Sequence, residues 1–156
     1  MSRDEQAASV LQNLRILVQA IQSYSRWVEK QLGISATQLW LMDEVAATPD
    51  MRISEVAKAL SIHQSTASNL LDKLEAKGLV ARKRSGSDQR VVRVYLTERG
   101  SELLAKVPRP AHGPVTEALQ RLPDGALETL SENLARLASC LPERDKKAGM
   151  KPLSGT

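Results

Sequence analysis

The sequence predicts a mainly helical fold with one small β-hairpin, and three observations carry that reading. Apolar residues recur at spacings of three and four over most of the chain, the mark of helices with one buried face. Aromatic residues make up only 3% and Phe is absent, so a core drawn from the 42% hydrophobic share rests on Leu, Val, Ile and Ala, a composition that favours helices. Strand character is confined to one stretch, where two β-prone runs flank the turn formers Ser85-Gly86-Ser87-Asp88-Gln89. With 156 residues, a single domain is expected.

The first helix is predicted over about residues 7–31, with Leu11, Leu14, Val18, Ile21, Tyr24, Val28 and Leu32 as its apolar stripe and Gly33 as its C-cap. Ser35 and Gln38 form an S-x-x-Q capping box that starts a second helix, lined inside by Leu39, Met42, Val45 and Ala46 and ended at Pro49. Ser54 is read as the cap of a short third helix, Glu55 to Leu60. The turn Ser61-Ile62-His63 leads to a fourth, about Gln64 to Lys77, stopped by Gly78. Two helices joined by a tight turn make a helix-turn-helix unit. Strands follow over Leu79–Arg84 and Val91–Leu96; in the second, Val92, Val94 and Leu96 alternate with Val91, Arg93 and Tyr95. Thr97 caps a helix from Glu98 to about Val107, where Pro108, Pro110, Gly113 and Pro114 interrupt it. A last helix, about Gly125 to Leu141, carries Leu127, Leu130, Leu134, Leu137 and Leu141 in a coiled-coil-like seam, and a disordered tail is expected from Pro142.

Charge is concentrated in the middle of the chain. Arg52, Lys58, Lys73, Lys77, Arg82, Lys83, Arg84, Arg90, Arg93 and Arg99 face only Glu55, Asp72, Glu75, Asp88 and Glu98 over residues 52–100, although the whole chain is only +4. Scattered surface cations are commonplace, but this excess sits inside the helix-turn-helix and hairpin, where fixed cations can displace the counterions of a phosphate backbone. The fourth helix puts Ala67, Leu70, Leu71 and Leu74 on one side. Gln64, Ser65, Thr66, Ser68, Asn69, Asp72 and Lys73 lie on or beside the other. Short polar side chains let a helix lie deep in a major groove, Gln and Asn can meet adenine bidentately, and hydroxyls suit phosphate oxygens. Arg82, Lys83 and Arg84 can track the backbone, and Arg90 near the hairpin tip can enter a narrow minor groove. Asp88, two residues earlier, can hold that guanidinium or shape the turn. Together these parts read as a winged helix-turn-helix aimed at duplex DNA.

Three motifs at these spacings, Leu74-Glu75-Ala76-Lys77-Gly78-Leu79-Val80, Asp88-Gln89-Arg90 and Leu96-Thr97-Glu98-Arg99-Gly100, resemble the winged-helix domain of MarR-type transcriptional regulators. The flanking helices extend the likeness over about residues 7–141. The resemblance implies a mainly α homodimer with residues 35–100 as the winged unit and 7–34 and 101–141 as dimerisation helices. It implies a pseudo-palindromic operator with half-sites about 34–36 Å apart, with Arg90 in the minor groove. It also implies small aromatic or phenolic ligands bound between the two regions, relieving repression. Two departures stand out. Lys106–Pro114 predicts a kink or loop where the family's fifth helix is continuous. His63 stands where a small capping residue is usual, and is expected to cap poorly and to reach a phosphate instead.

Tyr24, Trp27 and Trp40 lie on the first two helices, which in this family help line the effector cavity, and Arg15 or Arg26 can pair with a carboxylate ligand. The competing reading, that these aromatics are core or dimer contacts, weighs slightly more. Cys140 is the only cysteine, which excludes an intrachain disulfide and fits a reducing cytoplasm. A redox-responsive regulator built on Cys140 is one alternative, although the negative helix end disfavours a thiolate there. A winged-helix module that docks protein rather than DNA is another. His63 and His112 have no metal-ligand spacing, and no phosphate loop, nucleophile elbow or catalytic dyad is present, so no cofactor, metal or enzyme activity is expected. Neither a signal pattern at MSRDEQAASV nor a membrane-length apolar run is found, so a cytoplasmic protein without membrane contact is expected.

Overall fold

A computed structural model describes residues 1–85, 88–109, 111–142 and 145–153. The order is α1 (Arg3–Leu32), α2 (Ala36–Ala47), β1 (Met51–Arg52), α3 (Ile53–Leu60), α4 (Gln64–Ala76), β2 (Val80–Ser85), β3 (Asp88–Leu96), α5 (Glu98–Leu104), α6 (Pro114–Gln120) and α7 (Asp124–Ser139), with a 3-10 turn over Lys146–Met150. The winged helix-turn-helix is the observed fold: mainly helical, with a small antiparallel sheet.

α1 is longer than predicted because Ser2 and Glu5 close a capping box of their own. Gly33 ends it at φ 69°, a left-handed conformation natural to glycine, and its N–H donates to the Glu29 carbonyl. The expected stripe divides along its length. From Ile21 onward it turns into the chain and Val28 is fully buried, whereas Leu11, Ile16, Leu17 and Val18 project into solvent. The Ser35–Gln38 box forms as read, and Leu39, Leu41, Met42 and Val45 of α2 enter the core. Ala46, expected inside, is exposed: its angle falls between those of Met42 and Leu39, but it lies in the last turn of α2, which ends at Ala47.

α3 starts two residues early. Ile53 begins it, Arg52 occupies the N-cap, and Glu55 accepts the Arg52 N–H, so Ser54 lies within the first turn and is not the cap. β1, which escaped the sequence reading because it has two residues, pairs with β3 through Met51↔Val94 and Arg52↔Arg93. The sheet order is β1-β3-β2. Gly78, at φ 71°, lets two N–H groups fold back over the end of α4: Gly78 to the Glu75 carbonyl and Leu79 to that of Leu74. That double bond pattern stops the helix and starts β2 in one step. Thr97 Oγ1 accepts from Gly100 N at 3.0 Å, as the predicted cap of α5 requires. A Cβ at Gly100 would sit 2.0 Å from the Leu79 carbonyl oxygen, so only glycine fits beside the start of the hairpin.

The loop expected near Pro108 is present. α5 stops at Leu104, and α6, missed among the prolines, begins with Pro114 at its first turn, where the absent N–H costs nothing. No residue of α7 is buried; Leu127, Leu134, Leu137 and Leu141 lie open. The expectation of a disordered tail does not fit Asp145–Leu153. Asp145 caps the 3-10 turn, and the Met150 carbonyl accepts from His63 N–H at 3.3 Å.

Candidate nucleic-acid interface and ligand cavity

Helix α4 is held by its inner side. Ala67, Leu70, Leu71 and Leu74 are fully buried, and each leucine withdrawn from water contributes about 1.5–3 kcal/mol. The other side therefore faces out: Gln64, Ser65, Asn69, Asp72 and Lys73 are exposed, and Thr66 and Ser68 are half-buried. His63 occupies the N-cap with backbone φ −64° and ψ 147° and gives no side-chain cap, as expected of an imidazole there. Its Nε2 is buried and unpartnered, which does not suit the expected reach to a phosphate.

The hairpin is fastened to this helix. β2 and β3 run Val80↔Leu96 through Arg84↔Val92, with a register shift at Arg84/Ser85. Arg82 turns toward α4, and its guanidinium bonds Asp72 Oδ1 at 2.5 Å and Glu75 Oε2 at 3.0 Å. Those bonds, Glu75 first, raise its already high pKa. Arg82 was expected to track phosphates; its charge is instead spent on carboxylates three residues apart on α4, which makes it a clamp that sets the wing against the helix. Lys83, on the opposite face, lies over the Tyr95 ring at 5.3 Å. The Tyr95 hydroxyl donates to Asp50 Oδ1 at 2.7 Å, and that bond raises the Tyr95 pKa. Lys83, Arg84 and Arg90 are exposed. Gly86 and Ser87 lie outside the described residues, as does the Asp88 side chain, and with it the expected support of Arg90.

Beneath the winged unit, the proline-rich segment is pinned to α2. Asp43 is 7% exposed; its Oδ1 accepts from Arg109 Nε, and its Oδ2 accepts from Ala111 N–H at 2.9 Å. The Tyr24 hydroxyl donates to the Ala111 carbonyl at 3.4 Å. Burial, and then the nearby Asp43 charge, raise the Tyr24 pKa. Asp43 escaped the sequence reading: it and Glu44 both stand between Met42 and Val45, and spacing alone does not tell which of the two has a partner inside.

A cavity of about 360 Å³ opens beside this anchor, walled by α1, α2, the turn into α4, the start of α6 and the tail. Of the proposed effector residues, Tyr24 and Trp40 line it. Trp27 stacks on Tyr24 with ring centroids 6.2 Å apart but lies outside, as do Arg15 and Arg26, the latter bonded to Ser23 Oγ. His112, which sequence reasoning did not select, lines the wall beside Trp40 with a buried, unpartnered Nε2. Among the described residues no His, Cys, Asp and Glu cluster could hold a metal ion, and no helix is long and apolar enough to cross a membrane. Cys140 is exposed at the C-cap of α7.

Comparison with known proteins agrees with this architecture. Residues 32–91 match the MarR family model. The chain is 25% identical over 154 residues to the HTH-type transcriptional repressor MdtR of Bacillus subtilis strain 168, covering 99% of both. Its fold is similar to the crystal structure of the transcriptional regulator BldR from Sulfolobus solfataricus, at 23% identity, 90% and 100% coverage and a TM-score of 0.57. It is also similar to Streptococcus pneumoniae FabT crystallised in complex with DNA, at 23% identity, 87% and 92% coverage and a TM-score of 0.54. Motifs and fold agree with that match: residues 32–91 are similar to the MarR family, and the chain has a winged helix-turn-helix fold.

Proposed function

We propose that the protein is a homodimeric, sequence-specific binder of duplex DNA that represses transcription and is released by a small aromatic ligand. The carrying observation is the clamped pair of α4 and the hairpin: a polar helix face held by Arg82 at a fixed setting to a cationic strand pair. A helix presenting Gln64, Ser65, Thr66, Ser68 and Asn69 suits base edges and adjacent phosphates in the major groove. Lys73, Lys83 and Arg84 suit the backbone and Arg90 the minor groove, with Asp88, two residues earlier in the sequence, as its proposed support. Arg82 belongs to this set as a positioning residue. Prefixing the wing lowers the ordering cost of engaging two grooves at once. The kinship with a repressor, and with a protein crystallised on DNA, supports the same reading.

Self-association is supported by the open apolar faces of α1 and α7. Leu11, Ile16, Leu17 and Val18 on one, and Leu127, Leu134 and Leu137 on the other, are what a second copy can cover. The cavity under the winged unit supports the ligand part.

The test is selection of bound sequences from a random duplex pool, followed by gel shifts at graded salt. A palindrome with half-sites about one helical turn apart is expected. Arg90→Ala should weaken binding about ten-fold, or 1.4 kcal/mol, without lowering the melting temperature. Equal affinity of Arg90→Ala and the parent at matched salt removes Arg90 from the interface.

A further inference from the structure

The tail does more than follow α7. Asp145 Oδ1 accepts from Lys147 N–H at 2.9 Å and Oδ2 from Lys151 Nζ at 2.8 Å, which closes Asp145–Lys151 into a compact turn. Ala148, Gly149, Lys151, Pro152 and Leu153 then form one wall of the cavity whose other sides include Tyr24, Trp40 and His112. From the same turn, the Met150 carbonyl accepts the N–H of His63, the N-cap residue of α4. One short segment thus touches both the cavity and the start of the helix proposed to read DNA.

We infer that Asp145–Leu153 is a strap that completes the ligand cavity, selects a neutral planar aromatic alcohol, and transmits occupancy to α4 through Met150. This rests on the ligand reading proposed above and deepens it. The ligand class follows from the walls. Tyr24, Trp40, Ile21, Ile62 and Val115 offer flat or apolar surface. Among the described residues that line the cavity, Lys151 is the only Lys or Arg, and its ammonium is taken by Asp145. A carboxylate would be buried there with no free cation among the described lining residues, which is costly. His112 Nε2 is buried without a partner, and a hydroxyl can donate to or accept from it in either tautomer. A bound ring touching the core and Pro152–Leu153 at once holds the strap seated, and the seated strap fixes the peptide that begins α4. Occupancy of the cavity and the setting of α4 are thereby two ends of one linkage.

The experiment uses the full chain, with 2-naphthol and 2-naphthoate as probes, calorimetry for affinity, and trypsin cleavage after Lys147 as the measure of strap seating. The parent should bind 2-naphthol at least ten-fold more tightly than 2-naphthoate. Cleavage after Lys147 should be slower than in the free peptide 142–156 and should slow further in proportion to 2-naphthol occupancy. The double variant Asp145→Asn/Lys151→Gln alters exposed groups only; it should keep the parent's melting temperature, be cleaved at least five-fold faster and bind 2-naphthol correspondingly less. Binding of 2-naphthol with no protection of Lys147 overturns the strap and leaves the ligand reading standing. Protection of Lys147 in the parent, lost in the double variant, with neither probe bound overturns the ligand reading and the selectivity, and supports the seating alone. Cleavage of the parent at the rate of the free peptide overturns the seating itself.

Discussion

Asp43→Ala separates what anchors the proline-rich segment from what merely decorates it. The carboxylate serves two donors, the Arg109 guanidinium and the Ala111 N–H. Ala111 is 1% exposed, so removing its acceptor strands a buried amide, a loss of about 1–3 kcal/mol. The Arg109 side chain is 47% exposed, so solvent screening holds its half of the arrangement to about 0.2–1 kcal/mol. The total is about 1–4 kcal/mol, and at about 2–4 °C per kcal/mol for a chain of this size the melting temperature should fall by roughly 2–16 °C. Arg109→Ala should cost less than about 1 kcal/mol, because Asp43 keeps the Ala111 amide. Asp43→Asn, which retains an acceptor oxygen, should fall between them. Thermal unfolding followed by circular dichroism, at one fixed protein concentration, reads all three. If Asp43→Ala were no more damaging than Arg109→Ala, the buried amide would not be the element that matters, and the account of this anchor would be wrong.

The wing clamp behaves differently. Arg82→Met should lower global stability by only about 1 kcal/mol, since Asp72 and Glu75 are well exposed, but amide exchange across Val80–Leu96 should quicken about five-fold; unchanged exchange would mean that the ion pairs do not hold the hairpin. Gly100→Ala should destabilise by up to about 3 kcal/mol, because its Cβ meets a carbonyl already bonded to Thr97 N–H; a parent-like melting temperature would contradict that packing. Tyr24 and Tyr95 both ionise above their ordinary value, so the folded state holds the phenolic protons more tightly than the unfolded chain does. Their contribution is whole below about pH 10 and fades as pH rises through the folded pKa values. An absorbance titration of Tyr24→Phe and Tyr95→Phe should show each remaining phenol ionising later in the folded than in the urea-unfolded chain.

Local signals were legible in the sequence, and distant ones less so. The box at Ser35–Gln38, the cap at Thr97, the stops at Gly33 and Gly78, and the buried arc of α4 each depend on residues within one or two helical turns, so spacing alone revealed them. Failures came where a partner lies far along the chain. β1 exists because Met51 and Arg52 find Val94 and Arg93. Arg82 looked like one more hairpin cation until the fold brought Asp72 and Glu75 to it. Asp43 needed Arg109 and Ala111, 66 and 68 residues away. The cavity was legible only in part for the same reason: Tyr24 and Trp40 of α1 and α2 were named for it, whereas its walls from α6 and the tail lie far along the chain. Arg15 and Arg26 sit on the right helix but project from the wrong side of it.

The bare leucines of α7 and the outer half of α1 have a consequence beyond architecture. If a second copy covers that surface, as proposed above, stability becomes a matter of mass action. Dilution should depress the melting temperature and concentration should raise it, with each copy serving as ligand for the next. Inside a cell, such a chain would gauge its own abundance: scarce copies stay loosely held and short-lived, while plentiful ones reinforce one another.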